Sequence, residues 1–430
     1  MNYDVALTFL DDHVNLEAMV AGTRASAPTL DRIAALVDLM GDPQKQYEVI
    51  HLTGTNGKTS TARVVTRLLM TKGLSVGTYT SPDLQRINER LAWNEEPISD
   101  AAFAEQIEAL AALEALVPER ASRFDLLTAA AFRWFADVAI DAAVIEVGLG
   151  GTWDATNVAD GRVAVITSIG LDHTEFLGPS RRHVAAEKVG IVKPGATLVL
   201  GEVDDEVRDI LEGTPAAAAW TQGRDFGCVA NDAALGGRLL SLRTPGAEYT
   251  DIYLPIHGAH QGANAATALA AVEAFFGEPL SEDVVAEAFA NVTAPGRLEV
   301  VGRRPLTIID GVKNPEGARA SVATLDAEFG TASRRVIVVG LLRGRDPAEV
   351  LQALRVGEAA HVVTCPAPSP RTVPADELAD VARQLGANVE AAPSVAEAVA
   401  RGLAAANAED LVLVTGSLYV VGAARGLLVR

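Results

Sequence analysis

The stretch VIHLTGTNGKTSTARVVTRLL, residues 49–69, decides the first half of the fold. Its opening residues, 48–52, are few and partly β-branched, as in a buried parallel strand. Past Lys58, the apolar Val64, Val65, Leu68 and Leu69 recur at helical spacing, and Gly73 stands where a C-terminal cap belongs. GTNGKT (54–59) therefore joins a strand to a helix N-terminus. There, unpaired backbone N–H groups and the helix dipole favour a phosphate. The full phosphate-loop pattern asks for a further glycine where Leu52 stands, so only its short form is present. In that form Gly54 and Gly57 let the backbone of Thr55, Asn56 and Ser60 approach an anion. Lys58 meets the terminal phosphates, and the Thr59 hydroxyl reaches a magnesium ion. The alternative is a plain strand-to-helix turn; the flanking strand and helix favour the phosphate loop.

Bulk properties narrow the class. With 430 residues, 49% of them hydrophobic, the chain can bury a large core, and two domains are expected. A formal charge of −20 and a pI near 4.8 argue against nucleic acid or an anionic membrane as partner. An enzyme for anionic substrates under that field needs local cations or a metal. Cys228 and Cys365 give neither a disulfide framework nor a metal spacing. The N-terminus lacks a basic-then-apolar signal pattern, and no apolar run is long enough for a membrane span. A cytoplasmic protein is expected.

Strand-like segments at 49–52, 76–79, 142–147, 163–168 and 197–200 alternate with helical patterns. That alternation predicts an α/β fold with a parallel sheet covered by helices. Residues 201–255 loosen into small antiparallel strands or an inserted flap, and a helical run follows at 264–276. After Pro295-Gly296-Arg297 a second series begins at 306–309, 336–339, 361–364 and 411–414, with a helix at 395–406. It reads as a smaller α/β domain, dividing the chain into 1–297 and 298–430.

Ligands of open α/β sheets collect at the carboxyl ends of the strands. Three further motifs fall there. TSPDLQRINER (80–90) offers the Ser81 hydroxyl to a metal, or is an ordinary Ser-Pro turn. Glu146 ends an apolar strand, where a carboxylate is costly to bury without a cation such as phosphate-bound magnesium or a salt-bridge partner. In TSIGLDHTEFLG (167–178), His173 is a metal ligand or a hydrogen-bonded structural residue; beside Glu146 and Ser81 the metal reading gains. Lys188, in AAEKVGIVKPG, is either a surface lysine beside Glu187 or a lysine that faces the metals as a carbamate; the residues alone leave both open. Asp310, in DGVKNPEG, offers acceptors to a ribose.

In this order GTNGKT, TSPDL, FDLLTAAAF, EVGLGG, TSIGLDHTEFLG, EKVGIVKPG, HQGANAATAL, PGRLEV, DGVKNPEG and TGSLYVVG resemble the folylpolyglutamate synthase/dihydrofolate synthase family, relatives of the Mur ligases. The resemblance covers nearly the whole chain. It implies a phosphate-loop ATPase domain of Mur type, a C-terminal Rossmann-like domain on the glutamate side, and a reaction in the cleft between them. The implied activity is ATP-dependent amide ligation of L-glutamate to dihydropteroate or a reduced folate, with ATP and Mg2+, by a monomer. Lys58, Glu146, His173 and Lys188, the last carbamylated, become the catalytic group. Residues Gly54 to Ser60 with Asn264, Arg297, Asp310 and Lys313 bind ATP, and Thr59, Ser81, Glu146 and His173 hold magnesium. Pro82, Asp83, Phe124 and Asp154 fall to the pterin side and Ser417 to glutamate.

The chain departs from the family pattern at Asp83 and Lys313, where histidine is usual, and at Thr152, where arginine is usual. Arg345-Asp346 replaces lysine-aspartate. These changes leave two other readings open: an amide ligase for a different carboxylate, and an ATP-binding relative without catalysis.

Overall fold

The computed structural model describes residues 1–15, 29–330, 332 and 334–429. An eight-stranded sheet organises the first domain, in the order Glu96–Pro97, Leu91–Trp93, Val76–Tyr79, Ala142–Glu146, Glu48–Thr53, Gly161–Ser168, Thr197–Glu202, Ala218–Thr221. From Val76–Tyr79 onward every pairing is parallel, and the first two strands add an antiparallel edge. Val49, Ile50 and Leu52 are all buried because helices cover both faces. One face packs against Lys58–Thr71, His260–Phe276 and Glu282–Ala290; the other packs against Tyr3–Asp11, Asp31–Leu39, Asp100–Glu114 and Arg123–Asp137.

The register positions the chemistry. Leu52 pairs with Glu146 and Thr53 with Ile166, so the loop after Thr53, the Glu146 carboxylate and the turn after Ser168 share one edge. The expected strands are present, lengthened by up to two residues at an end, except that the strand expected at 142–147 stops at Glu146.

The loosened region contains both kinds of pairing. Ala218–Thr221 extends the large sheet in parallel, while Gly227–Ala234, Gly237–Arg243 and Glu248–Leu254 form a separate antiparallel sheet. The helix expected from residue 264 begins at His260. Gly262 serves close packing: a Cβ there would lie 2.4 Å from Asn231 Nδ2 and 2.8 Å from Cys228 Sγ of the small sheet.

The second domain is a six-stranded sheet ordered Glu299–Arg303, Leu306–Asp310, Leu411–Thr415, Arg335–Val339, His361–Thr364, Val389–Ala391. The first strand is antiparallel to its neighbour and the rest run parallel. Asn314 caps the helix Pro315–Glu328 by accepting from the Gly317 N–H, with proline opening the first turn. Glu328 on this helix forms a buried pair with Arg238, which ties the small antiparallel sheet to the second domain. Among the described residues, no helix is long and apolar enough to cross a membrane.

Candidate active site

Gly54 and Gly57 shape the loop for reasons no other residue satisfies. Both have positive φ, +153° and +85°. A Cβ on Gly54 would lie 1.9 Å from Thr167 Oγ1, and one on Gly57 would lie 2.4 Å from Asn264 Oδ1. Gly57 thereby aims the N-terminus of Lys58–Thr71 into the cleft. Lys58 Nζ folds back to donate to the Gly54 carbonyl at 2.9 Å. The Thr55 hydroxyl donates to the Gly170 carbonyl at 3.1 Å, which fastens the loop to the neighbouring strand exit.

The Thr59 hydroxyl donates to Glu146 at 3.0 and 3.1 Å. Glu146 is 1% exposed, and burial raises its carboxyl pKa; Lys58 and the Thr59 hydroxyl act in the other direction. The same cleft is lined by Ser60, Ser81, Asn264, Arg297, Asp310 and Lys313. Arg297 Nη1 donates to the Gly311 carbonyl, and burial raises the pKa of Asp310. From the second domain, Asn314 Nδ2 donates to Asn56 Oδ1 at 3.1 Å, while Asn56 Nδ2 donates to Glu316 at 3.0 Å. The loop thus touches both domains.

Among the described residues, no group of three or more histidine, cysteine or acidic side chains could hold a metal unaided. One buried carboxylate beside the Thr59 and Ser81 hydroxyls suits magnesium, which takes one or two carboxylates and completes its shell with phosphate oxygens and water. His173 lines the adjoining recess with Lys58, Lys188 and Lys313. Burial lowers its pKa to about 3, against the pull of Asp172, so the imidazole is neutral at physiological pH.

Lys188 is not a surface residue. It is 4% exposed, and its Nζ donates to the Gly54 carbonyl at 3.2 Å and to Thr53 Oγ1 at 3.3 Å. Burial, with Lys58 nearby, lowers its pKa to about 7. A large fraction is then the neutral amine, the form that adds carbon dioxide.

A second cavity adjoins the phosphate loop between the domains. Ser81, Pro82, Phe124, Trp153, Asp154 and Phe176 form one side, and Arg345, Arg371, Ser417 and Tyr419 the other. Phe124 packs against Gly148, where a Cβ would fall 2.5 Å from its ring. Asp154 accepts from Leu149 N and Thr156 N, and burial raises its pKa to about 6. Arg32, Trp153, Phe176, Arg371 and Tyr419 escaped the sequence reading. Their motifs carry no chemistry in one dimension, and only chain folding brings them to this wall.

Two family models cover most of the chain: the Mur ligase middle domain over residues 52–272 and the Mur ligase glutamate ligase domain over 296–418. The dihydrofolate synthase/folylpolyglutamate synthase of Mycobacterium tuberculosis is 38% identical over 94% of this chain and 90% of its own length. The protein of the same name from Bacillus subtilis is 31% identical over 92% and 93%.

The chain belongs to the folylpolyglutamate synthase/dihydrofolate synthase family.

It is therefore an ATP-dependent ligase of the Mur type. The solved Mycobacterium tuberculosis folylpolyglutamate synthase complexed with ADP superposes with a TM-score of 0.93 at 37% identity, covering 100% of this chain and 98% of that one. Escherichia coli FolC in complex with DHPP and ADP gives 0.87 at 28%, covering 99% and 97%.

Against the family pattern, the unusual residues have defined places. Asp83 turns to Arg90, with Oδ1 2.6 Å from Nε, and lines neither cleft. A buried arginine thus holds the carboxylate that the resemblance assigns to the pterin side. The Thr152 hydroxyl donates to the Glu187 carbonyl beside Lys188. Arg345 and Lys313 reach Asp172 across the domain boundary, with Arg345 Nη2 at 2.5 Å and Lys313 Nζ at 3.5 Å. Burial pushes the Asp172 carboxyl up, but Lys313, His173 and Arg345 outweigh it and hold it well below the usual range.

Proposed function

We propose that the chain joins L-glutamate to the carboxylate of a dihydropteroate or reduced folate, with the active residues divided between domains 1–297 and 298–430. The observation carrying this reading is the continuity of the two clefts: Lys58, Ser81 and Lys313 line both. A nucleotide's terminal phosphate at the loop would then adjoin a carboxylic acid in the second cavity.

An amine does not displace oxide from a carboxylate at neutral pH. The acceptor carboxylate first attacks the γ-phosphorus of ATP, forming an acyl phosphate and releasing ADP. The glutamate amine then attacks the acyl carbon, loses a proton and expels phosphate, leaving an amide. Lys58 and the N–H groups at the start of Lys58–Thr71 offset the charge that develops on the transferred phosphoryl group. Thr59, Ser81, Glu146 and the neutral His173 are the groups that would hold magnesium, which supplies Lewis-acid stabilisation when bound. Arg297 and Asp310 face the nucleotide from the domain boundary. Lys188, as its carbamate, would present an anion toward the metal side. Phe124, Pro82 and Asp154 would take the pterin end, and Ser417, at the N-terminus of Leu418–Leu428, the glutamate. Cleft closure shields the acyl phosphate from water.

Arg90 holds the Asp83 carboxylate, and the Thr152 hydroxyl donates to the Glu187 carbonyl. The test is incubation with ATP, Mg2+ and L-glutamate against pterin and non-pterin acids. Conjugates are identified by mass spectrometry, with ADP release measured in parallel. The Lys58→Ala variant is expected to lose turnover with every acid. Conjugates with non-pterin acids alone, or wild-type rates in that variant, would overturn the reading.

A further inference from the structure

Behind Asp154, beneath the cavity floor, lies a polar chain of two residues, His51 and Thr156, that neither the family resemblance nor the mechanism uses. His51, on the central strand Glu48–Thr53, is 0% exposed, and its Nε2 lies 2.9 Å from the Thr156 hydroxyl. That hydroxyl lies 2.5 Å from Asp154 Oδ1, and the Thr156 N–H reaches the same oxygen at 3.0 Å. The other oxygen, Oδ2, accepts from Leu149 N at 2.9 Å. We infer that His51 is a positioning residue for the acceptor substrate, acting through Thr156 to hold Asp154 in one orientation with a single lone pair turned to the cavity. The inference rests on the proposed function, since it concerns how that cavity meets its ligand.

Proton counting fixes the direction. Thr156 Oγ1 has one hydrogen, and an ionised Asp154 can only accept it. Thr156 must then accept in turn, so His51 carries its proton on Nε2. Among the described residues, His51 Nδ1 has no hydrogen-bond partner and is buried, which suits a bare nitrogen better than an N–H. Were Asp154 protonated, the chain would reverse: Asp154 would donate to Thr156, Thr156 to Nε2, and Nδ1 would become an orphan donor. The arrangement therefore favours the carboxylate. With Oδ1 taking two donors and Oδ2 one, the remaining lone pair can accept only one N–H, so the ligand edge is met in one register. The strand backbone holds the imidazole, and Gly161 lets it stand there, since a Cβ at that position would lie 2.9 Å from His51 Cβ.

Other charges near the chain are Asp125, held by Arg32, and Lys188, which act on Asp154, and Lys193, which acts on His51. Burial, with Lys193, keeps the imidazole neutral, its pKa lowered to about 3. His51 is therefore a fixed donor, and its charge does not change in the working pH range.

The test uses steady-state kinetics of the full chain with ATP, Mg2+, L-glutamate and dihydropteroate. His51→Leu removes the donor, while His51→Gln keeps an amide N–H at nearly the position of Nε2. His51→Leu is expected to raise KM for the pterin acid about tenfold, the size of one hydrogen bond to a charged group. KM for ATP and kcat stay within about twofold, and His51→Gln recovers most of the loss. Thr156→Val should reproduce His51→Leu and Thr156→Ser should not; this pair decides the question if His51→Leu does not fold. Unchanged KM for the pterin acid in both folded His51→Leu and Thr156→Val overturns the inference, as does an equal rise in KM for ATP. A wild-type chain that conjugates no pterin acid would instead refute the proposed function.

Discussion

Lys188→Met in buffers freed of carbon dioxide separates an electrostatic cost from a packing one. The lysine has a pKa of about 7 in the fold, against 10.5 for the free side chain, because burial penalises its ammonium form. Between those values the unfolded chain holds a proton that the folded chain has lost, so wild-type stability rises with pH across the window from 7 to 10.5. Each pH unit inside the window is worth about 1.4 kcal/mol, so between pH 7 and pH 9 the wild type gains about 3 kcal/mol. Below pH 7 both states are protonated and the slope vanishes, leaving the full penalty of about 5 kcal/mol. Methionine does not titrate. Its loss of the bonds to Thr53 and Gly54 adds an offset that is the same at every pH. Urea unfolding at pH 6, 7.5 and 9 should therefore show the variant gaining on the wild type as pH falls, whichever is the more stable at pH 9. Bicarbonate at pH 8 should shift the wild-type midpoint and leave the variant unmoved. A stability difference between the two proteins that is flat from pH 6 to 9 would refute the account of a desolvated lysine.

Gly54→Ala should raise KM for ATP at least tenfold and cost about 1–3 kcal/mol in urea unfolding, because its Cβ would meet Thr167 Oγ1 at 1.9 Å. With Asp154 titrating at about 6, KM for the pterin acid should climb as pH falls below 6, and Asp154→Asn should flatten that climb while raising KM at pH 8. Chelation with EDTA should stop turnover and leave the ligand-free melting temperature within about 1 °C, since the described residues by themselves provide no metal cage. Glu146→Gln should weaken ATP binding only when magnesium is present, readable by calorimetry with and without the ion.

What the sequence determined by itself is whatever depends on local order. The strand–GTNGKT–helix unit follows from periodicity and from glycines that must adopt positive φ, and both domains' strands follow from β-branched runs between helical patterns. The order of the motifs carried the family. The sequence could not decide whether Lys188 faces solvent or the site, because a helix-terminal lysine beside a glutamate suits either; the sheet register that brings Thr53 and Gly54 beneath it decides. Nor could it foresee that Asp83 answers Arg90, or that Asp172 draws Arg345 and Lys313 across the domain boundary, since ion pairs are settled by proximity in space. His51 is the extreme case. Along the chain it is one polar residue within an apolar strand, and its partner Thr156 lies 105 positions away. Charge, hydrogen-bond direction and burial are properties of neighbourhoods, and neighbourhoods exist only once the strands have paired.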